Sequence, residues 1–75
     1  MQVMLSSMKK PVFVRLLTDA ERAHLATGLR SSEAFVLRRS QILLASARGE
    51  SAPHIARQLG CDDQTVRNVL HAFNT

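Results

Sequence analysis

The segment from Ile55 to Val66 constrains the fold more than any other part of this chain. It contains a short helical run, a turn with Gly60 in it, and the start of a second helical run. Gly60 can take a positive φ without a Cβ clash, which lets the chain turn sharply. Ala56 is small enough for two helices to cross closely. Two short helices joined by a glycine-containing turn predict a helix-turn-helix at residues 51–74.

Capping patterns predict helices before this segment as well. Thr18 with Glu21 three residues later fits a capping box, which starts a first helix that ends near Arg30. Pro53 is tolerated in the first turn of the third helix, and Gly49 suits the position after the second. The candidate residues that start the four helices are Thr18, Ser32, Ser51 and Asp62. An all-α, four-helix domain is therefore expected within the 75 residues.

The second predicted helix is apolar around most of its circumference. Its apolar positions include residues 35–37 and residues 42–45. A helix of this kind is buried on several sides. We therefore expect it to be the central helix, against which the others pack.

Residues 1–17 differ from the helical part of the chain. Pro11 follows two lysines and breaks regular structure, and residues 12–16 are rich in β-branched and aromatic side chains that favour extended backbone. Because no second strand-like run exists, we expect no partner for this segment within the chain. The predicted organisation is an extended basic arm at 1–17 and a helical domain at 18–75. A lone strand that pairs in a homodimer is the alternative for the arm.

The last predicted helix has two unlike faces. Val66, Val69, Leu70 and Phe73 form one apolar stripe at helical spacing. The opposite face carries Gln64, Arg67, Asn68 and His71, and side chains of these types can hydrogen-bond to base edges in the major groove. Ten basic against six acidic residues give a net charge of +4, which also favours DNA as a partner. The plain alternative is a solvated surface, since every amphipathic helix has a polar face.

The predicted DNA contacts fall into three groups. The last helix carries the residues expected to face the bases, which are Asp63, Gln64, Arg67, Asn68 and His71. The preceding helix places two residues for phosphates, Arg57 and Gln58. The arm tracks the DNA backbone or enters the minor groove with Lys9, Lys10 and Arg15. The two adjacent carboxylates of Asp62 and Asp63 repel phosphates. Asp62 serves as an N-cap, and Asp63 either accepts from a cytosine amino group or weakens non-specific binding.

Four segments of this sequence resemble the N-terminal, homeodomain-like helix-turn-helix domain of bacterial insertion-sequence transposases of the Tc/mariner-like superfamily: Arg38-Arg39-Ser40-Gln41-Ile42-Leu43-Leu44, Gly49-Glu50-Ser51, Ile55-Ala56-Arg57-Gln58-Leu59-Gly60 and Thr65-Val66-Arg67. The match also takes in Leu17-Thr18 and Glu21-Arg22, so the resemblance covers roughly residues 12–73. It implies that the last helix enters the major groove and that the domain binds the terminal inverted repeats of a mobile element. Asp62-Asp63 and Leu70 depart from the family, which usually has a small polar cap, basic residues and an aromatic residue there.

Several function classes find no support in the sequence. One cysteine offers neither an internal disulfide nor a cysteine-based metal set, and no nucleophile–base–orienter group is evident. The carboxylate-bearing catalytic domain of such transposases has no counterpart in these residues. We therefore expect no enzyme activity, no cofactor, no metal, no small-molecule substrate and no membrane insertion. The expected partner is double-stranded DNA, in the cytoplasm of a bacterium and associated with the nucleoid.

Two other functions stay open at this point. A stand-alone transcriptional regulator of the helix-turn-helix type would dimerise through the arm or the first helix. A small helical protein-interaction module would instead use the apolar central helix or the arm, and would show no salt-sensitive affinity for DNA.

Overall fold

The computed structural model describes residues 11–75, and this part of the chain contains four helices: α1 Asp19–Gly28, α2 Ala34–Ala47, α3 Ala52–Leu59 and α4 Asp63–Asn74. Helix α2 packs against each of the other three, whereas α1 touches no helix except α2. The predicted all-α, four-helix architecture is confirmed for these residues.

Side chains cap three of the four helices as predicted. At α1 the capping box is complete: Glu21 N–H donates to Thr18 Oγ1 at 3.0 Å, and Thr18 N–H donates to Glu21 Oε1 at 2.9 Å. Ser51 accepts from the His54 N–H at the start of α3, and α4 is capped in the same way by its preceding aspartate. Helix α2 begins one residue after Glu33, whose side chain makes no capping hydrogen bond.

The turn between α3 and α4 has the backbone that the sequence predicts. Gly60 adopts φ 72° and ψ 34°, the left-handed region. Cys61 N–H then donates to the carbonyl oxygen of Ala56 at 3.0 Å, which satisfies an acceptor at the end of α3. This conformation sets the angle between the two helices.

The core lies where α2, α3 and α4 meet. Its largest fully buried side chains are Ile42, Leu43, Ile55, Val66 and Leu70. Burying a side chain of this size stabilises the fold by about 1.5–3 kcal/mol. The core therefore fixes α4 with its apolar stripe inward.

The first turns of α2 are less buried than their apolar sequence predicts. Phe35 is 75% exposed, while Val36 and Leu37 are half-buried. Phe35 lies beside Thr65 and Val69 in an open groove, and these two small side chains do not close over the ring. Only the second half of α2 is central in the sense that was predicted.

Residues 11–18 contain no helix or strand, yet they have partners within the chain, contrary to expectation. The Arg15 N–H donates to Asn74 Oδ1 and Asn74 Nδ2 donates to the Phe13 carbonyl, both at 2.8 Å. The Val14 N–H donates to the buried Ser46 hydroxyl at 2.8 Å. Side chains of α2 and α4 thus replace the neighbouring strand that an extended segment otherwise needs, and Leu17 is buried in the core.

Candidate nucleic-acid interface

Helix α4 presents a polar outer face, as its sequence predicts. Val66 and Leu70 are buried, and the other two members of the apolar stripe are half-buried against the core. On the opposite side of α4 the structure brings together Gln64, Asn68 and His71, which are exposed, and Arg67, which is half-buried. Four of the five side chains predicted to face the bases therefore share one surface.

Three of these side chains are joined by hydrogen bonds along the outer face. Gln64 Nε2 donates to Asn68 Oδ1 at 2.9 Å, and an Arg67 guanidinium nitrogen donates to Gln64 Oε1 at 3.3 Å. Within residues 11–75, the amide nitrogen of Asn68 donates no hydrogen bond. The row thus aligns an amide and a guanidinium, the two groups that fork onto adenine and guanine in the major groove.

Carboxylates surround the first turn of α4. Asp62 Oδ2 accepts from the Gln64 N–H at 2.9 Å, so this aspartate is the N-cap, as predicted. Asp63 lies 3.9 Å from Arg67, one helical turn later. Both carboxylates interact favourably with the positive end of the helix dipole. With two acids and one arginine, residues 62–74 have a net charge of −1 when His71 is neutral.

Helix α3 contributes the polar residues predicted to contact phosphates. Arg57 and Gln58 are exposed, while Ile55 and Ala56 on the opposite side of the helix are buried. Arg57 forms no ion pair within the described residues. Its charge is therefore available to a partner.

The predicted contacts from the arm are only partly described. Lys9 and Lys10 lie outside the described residues. Arg15 donates two hydrogen bonds to the Glu21 carboxylate, at 2.9 and 2.7 Å, and its guanidinium lies 4.5 Å from the centroid of the Phe73 ring. A DNA contact by Arg15 stays a prediction, and making it would require this residue to leave Glu21.

The pairing of Arg15 with Glu21 shifts the pKa of both side chains. The Arg15 hydrogen bonds, followed by the hydrogen bond from the Thr18 N–H, lower the pKa of Glu21 from 4.5 to about 2. The hydrogen bond to Glu21 in turn raises the pKa of Arg15. The pair fastens the end of the arm to the first turn of α1.

The structure also brings α2 beside α4, as expected of the central helix, but no local pattern in the sequence indicates which of their residues meet. An open groove between these helices, here called the α2–α4 groove, is lined by Ala34, Phe35, Arg38, Arg39, Thr65 and Val69. The Arg39 guanidinium lies 5.6 Å from the Phe73 ring centroid, on the same aromatic residue that Arg15 contacts. Only the crossing of the two helices in three dimensions places these arginines near α4.

No cluster of three or more His, Cys, Asp or Glu side chains arranged to hold a metal ion occurs among residues 11–75. Cys61 is half-buried and packs against the core. None of the four helices described is long and apolar enough to cross a membrane.

Comparison with known proteins identifies the family of this fold. A family model described as a homeodomain-like domain matches residues 33–75, which span α2, α3 and α4. Comparisons with curated proteins and with solved structures gave no significant match. The matched region contains the helix-turn-helix and its polar outer face, and this combination indicates DNA binding. The chain belongs to the homeodomain-like helix-turn-helix family.

Proposed function

We propose that this protein binds double-stranded DNA sequence-specifically, with α4 in the major groove. The observation that carries the proposal is the contrast between the two faces of α4. One face is packed into the core, while no other described residue covers the face with Gln64, Asn68 and His71. A helix held in this way by a second helix is how helix-turn-helix proteins present side chains to bases.

Each exposed group has a chemical role in this proposal. Arg67 donates two hydrogen bonds to guanine, and Asn68 or Gln64 pairs with the edge of adenine. Asp63 accepts from the amino group of cytosine, and His71 contacts the duplex near the end of α4. Arg57 and Gln58 hold phosphates beside the groove, and Lys9, Lys10 and Arg15 contact the DNA backbone or the minor groove.

We further propose that the domain recognises the terminal inverted repeats of a mobile element as the end-recognition part of a transposase, without itself being catalytic. The four segments quoted above support this assignment, since they extend the likeness beyond the helix-turn-helix into α2. A stand-alone regulator is the second candidate. Leu16 and Phe35 are 89% and 75% exposed, and apolar side chains this exposed favour a contact with a second copy of the chain.

Selection of bound duplexes from a random pool, repeated at two salt concentrations, tests these proposals. Sequence-specific binding predicts that one motif is enriched at both salt concentrations, with weaker overall retention at the higher one. A single asymmetric motif fits the end of an element, whereas two inverted half-sites about one helical turn apart fit a dimeric regulator. A pool that stays random at both salt concentrations would contradict sequence-specific binding.

A further inference from the structure

We propose that Arg38 and Thr65 form a phosphate-binding site on one flank of α4, a site that rests on the DNA-binding function proposed above. Arg38 comes from α2 and Thr65 from the first turn of α4, and both line the α2–α4 groove. Both are exposed in the described part of the chain. A helix seated in the major groove runs between two phosphate backbones, so each of its flanks faces phosphates.

The arginines differ in whether their charge is already engaged. Arg15, Arg48 and Arg67 each lie within ion-pair distance of a carboxylate. Arg39 is half-buried and lies over the ring of Phe73. Arg38 forms no ion pair with any residue from 11 to 75, so an external anion meets no internal competitor for this guanidinium.

The two flanks of α4 differ in charge because of helix geometry. Asp63 and Thr65 are two residues apart, so they lie about 160° apart around the helix axis. Arg67 lies on the same side as Asp63, at 3.9 Å, where the pair largely neutralises itself. The Thr65 flank carries no charge from α4, and Arg38 of α2 makes it positive.

The N-terminus of α4 is a poorer place for a phosphate. The Asp62 side chain already accepts the Gln64 N–H, and Asp63 adds a second negative charge in the first turn. A phosphate is repelled there, whereas beside Thr65 it finds a hydroxyl donor and the guanidinium of Arg38. A guanidinium binds phosphate through two parallel hydrogen bonds, and this contact holds the register of the helix without reading sequence.

The experiment measures duplex affinity against salt for the full chain and its variants. Each phosphate contact on B-DNA contributes about 0.9 to the slope of log affinity against log salt. Arg38→Ala should therefore reduce the slope by about one and weaken binding about 5- to 8-fold at 0.1–0.15 M monovalent salt. The loss should be equal on the selected duplex and on a random-sequence duplex, because no base contact is removed. Arg38→Lys keeps the charge and should keep the slope.

Arg22→Ala is the matched control. Arg22 is an exposed arginine on α1, a helix that does not touch α4, so its removal makes the same change in net charge away from the site. If Arg38→Ala and Arg22→Ala change the slope equally, the site is overturned while DNA binding stands. If Arg38→Ala changes only self-association in sedimentation, the groove binds protein and the site is likewise overturned. A wild-type chain whose duplex affinity ignores salt would overturn the proposed function together with the site.

Discussion

Replacing Gly60 by L-alanine and by D-alanine tests the turn on which the placement of α4 depends. The residue has φ 72° and ψ 34°, and an L-Cβ built there meets no atom within 4 Å. The cost of L-alanine is therefore conformational and not steric. A left-handed conformation costs an L-residue about 1–2 kcal/mol, while the loss of unfolded-state freedom returns about 0.4–1 kcal/mol. The net destabilisation should be about 1 kcal/mol.

D-alanine at the same position should change the stability in the opposite direction. For a D-residue this backbone is the relaxed right-handed helical region in mirror image, so only the unfolded-state effect remains and the variant should be more stable than wild type. The two variants share one composition, and the strain of the left-handed backbone separates them by about 1–2 kcal/mol. For a domain of this size each kcal/mol moves the melting temperature by about 4–8 °C.

Thermal unfolding of the three synthetic chains, followed by circular dichroism, is the assay. We expect the melting temperature to be highest for the D-alanine chain, intermediate for the glycine chain and lowest for the L-alanine chain. DNA affinity measured well below the lowest transition should be similar for all three, since no contact residue changes. Equal melting temperatures for the D- and L-alanine chains would show that residue 60 does not hold a left-handed conformation. The conclusion that Gly60 sets the angle between α3 and α4 would then be wrong.

Three other substitutions test the remaining parts of the argument. Arg67→Ala should weaken binding to the selected duplex by about 1–3 kcal/mol and relax the choice of base at one position, measured by competition binding. Equal losses of affinity on all duplexes would instead make Arg67 a phosphate contact. Ala56 is 1% exposed, so Ala56→Leu should overpack the α3–α4 crossing and lower the free energy of unfolding by about 1–3 kcal/mol, measured by urea titration. The control is Ala72→Leu at an exposed position of α4, which should change the free energy of unfolding little. The pKa of Glu21 is lowered from 4.5 to about 2, so its pairing with Arg15 stabilises the fold above pH 4.5, and this stabilisation is lost as the pH falls from 4.5 to 2. Glu21→Gln should therefore flatten the plot of unfolding free energy against pH over that range. An unchanged plot would count against the pair with Arg15.

Features set by residues close in sequence could be predicted, because their physical causes are local. The Thr18–Glu21 capping box, the left-handed Gly60 and the inward stripe of α4 each depend on residues within about two helical turns. The hydrogen bonds of Asn74 to the arm join residues 59 and 61 positions apart, and nothing near Asn74 in the sequence indicates them. Arg38 belongs to the same class, since its nearness to Thr65 arises only when α2 crosses α4.

In the proposed complex, the charges of the helices separate base reading from affinity. Helix α4 itself has no net charge when His71 is neutral, and its N-cap Asp62 adds one negative charge, so this part of the chain gains little from counterion release. The positive charge that draws the chain to DNA must come from neighbouring elements, and Arg57 on α3 and Arg38 on α2 are exposed and form no ion pair within residues 11–75. In the proposed complex, the carboxylate of Asp63 weakens binding wherever the opposing base offers no amino group to it. Acidic residues at the start of α4 are thus compatible with DNA binding in the proposed complex, because the positive charges that contact phosphates lie on α2 and α3, whereas the base contacts lie on α4.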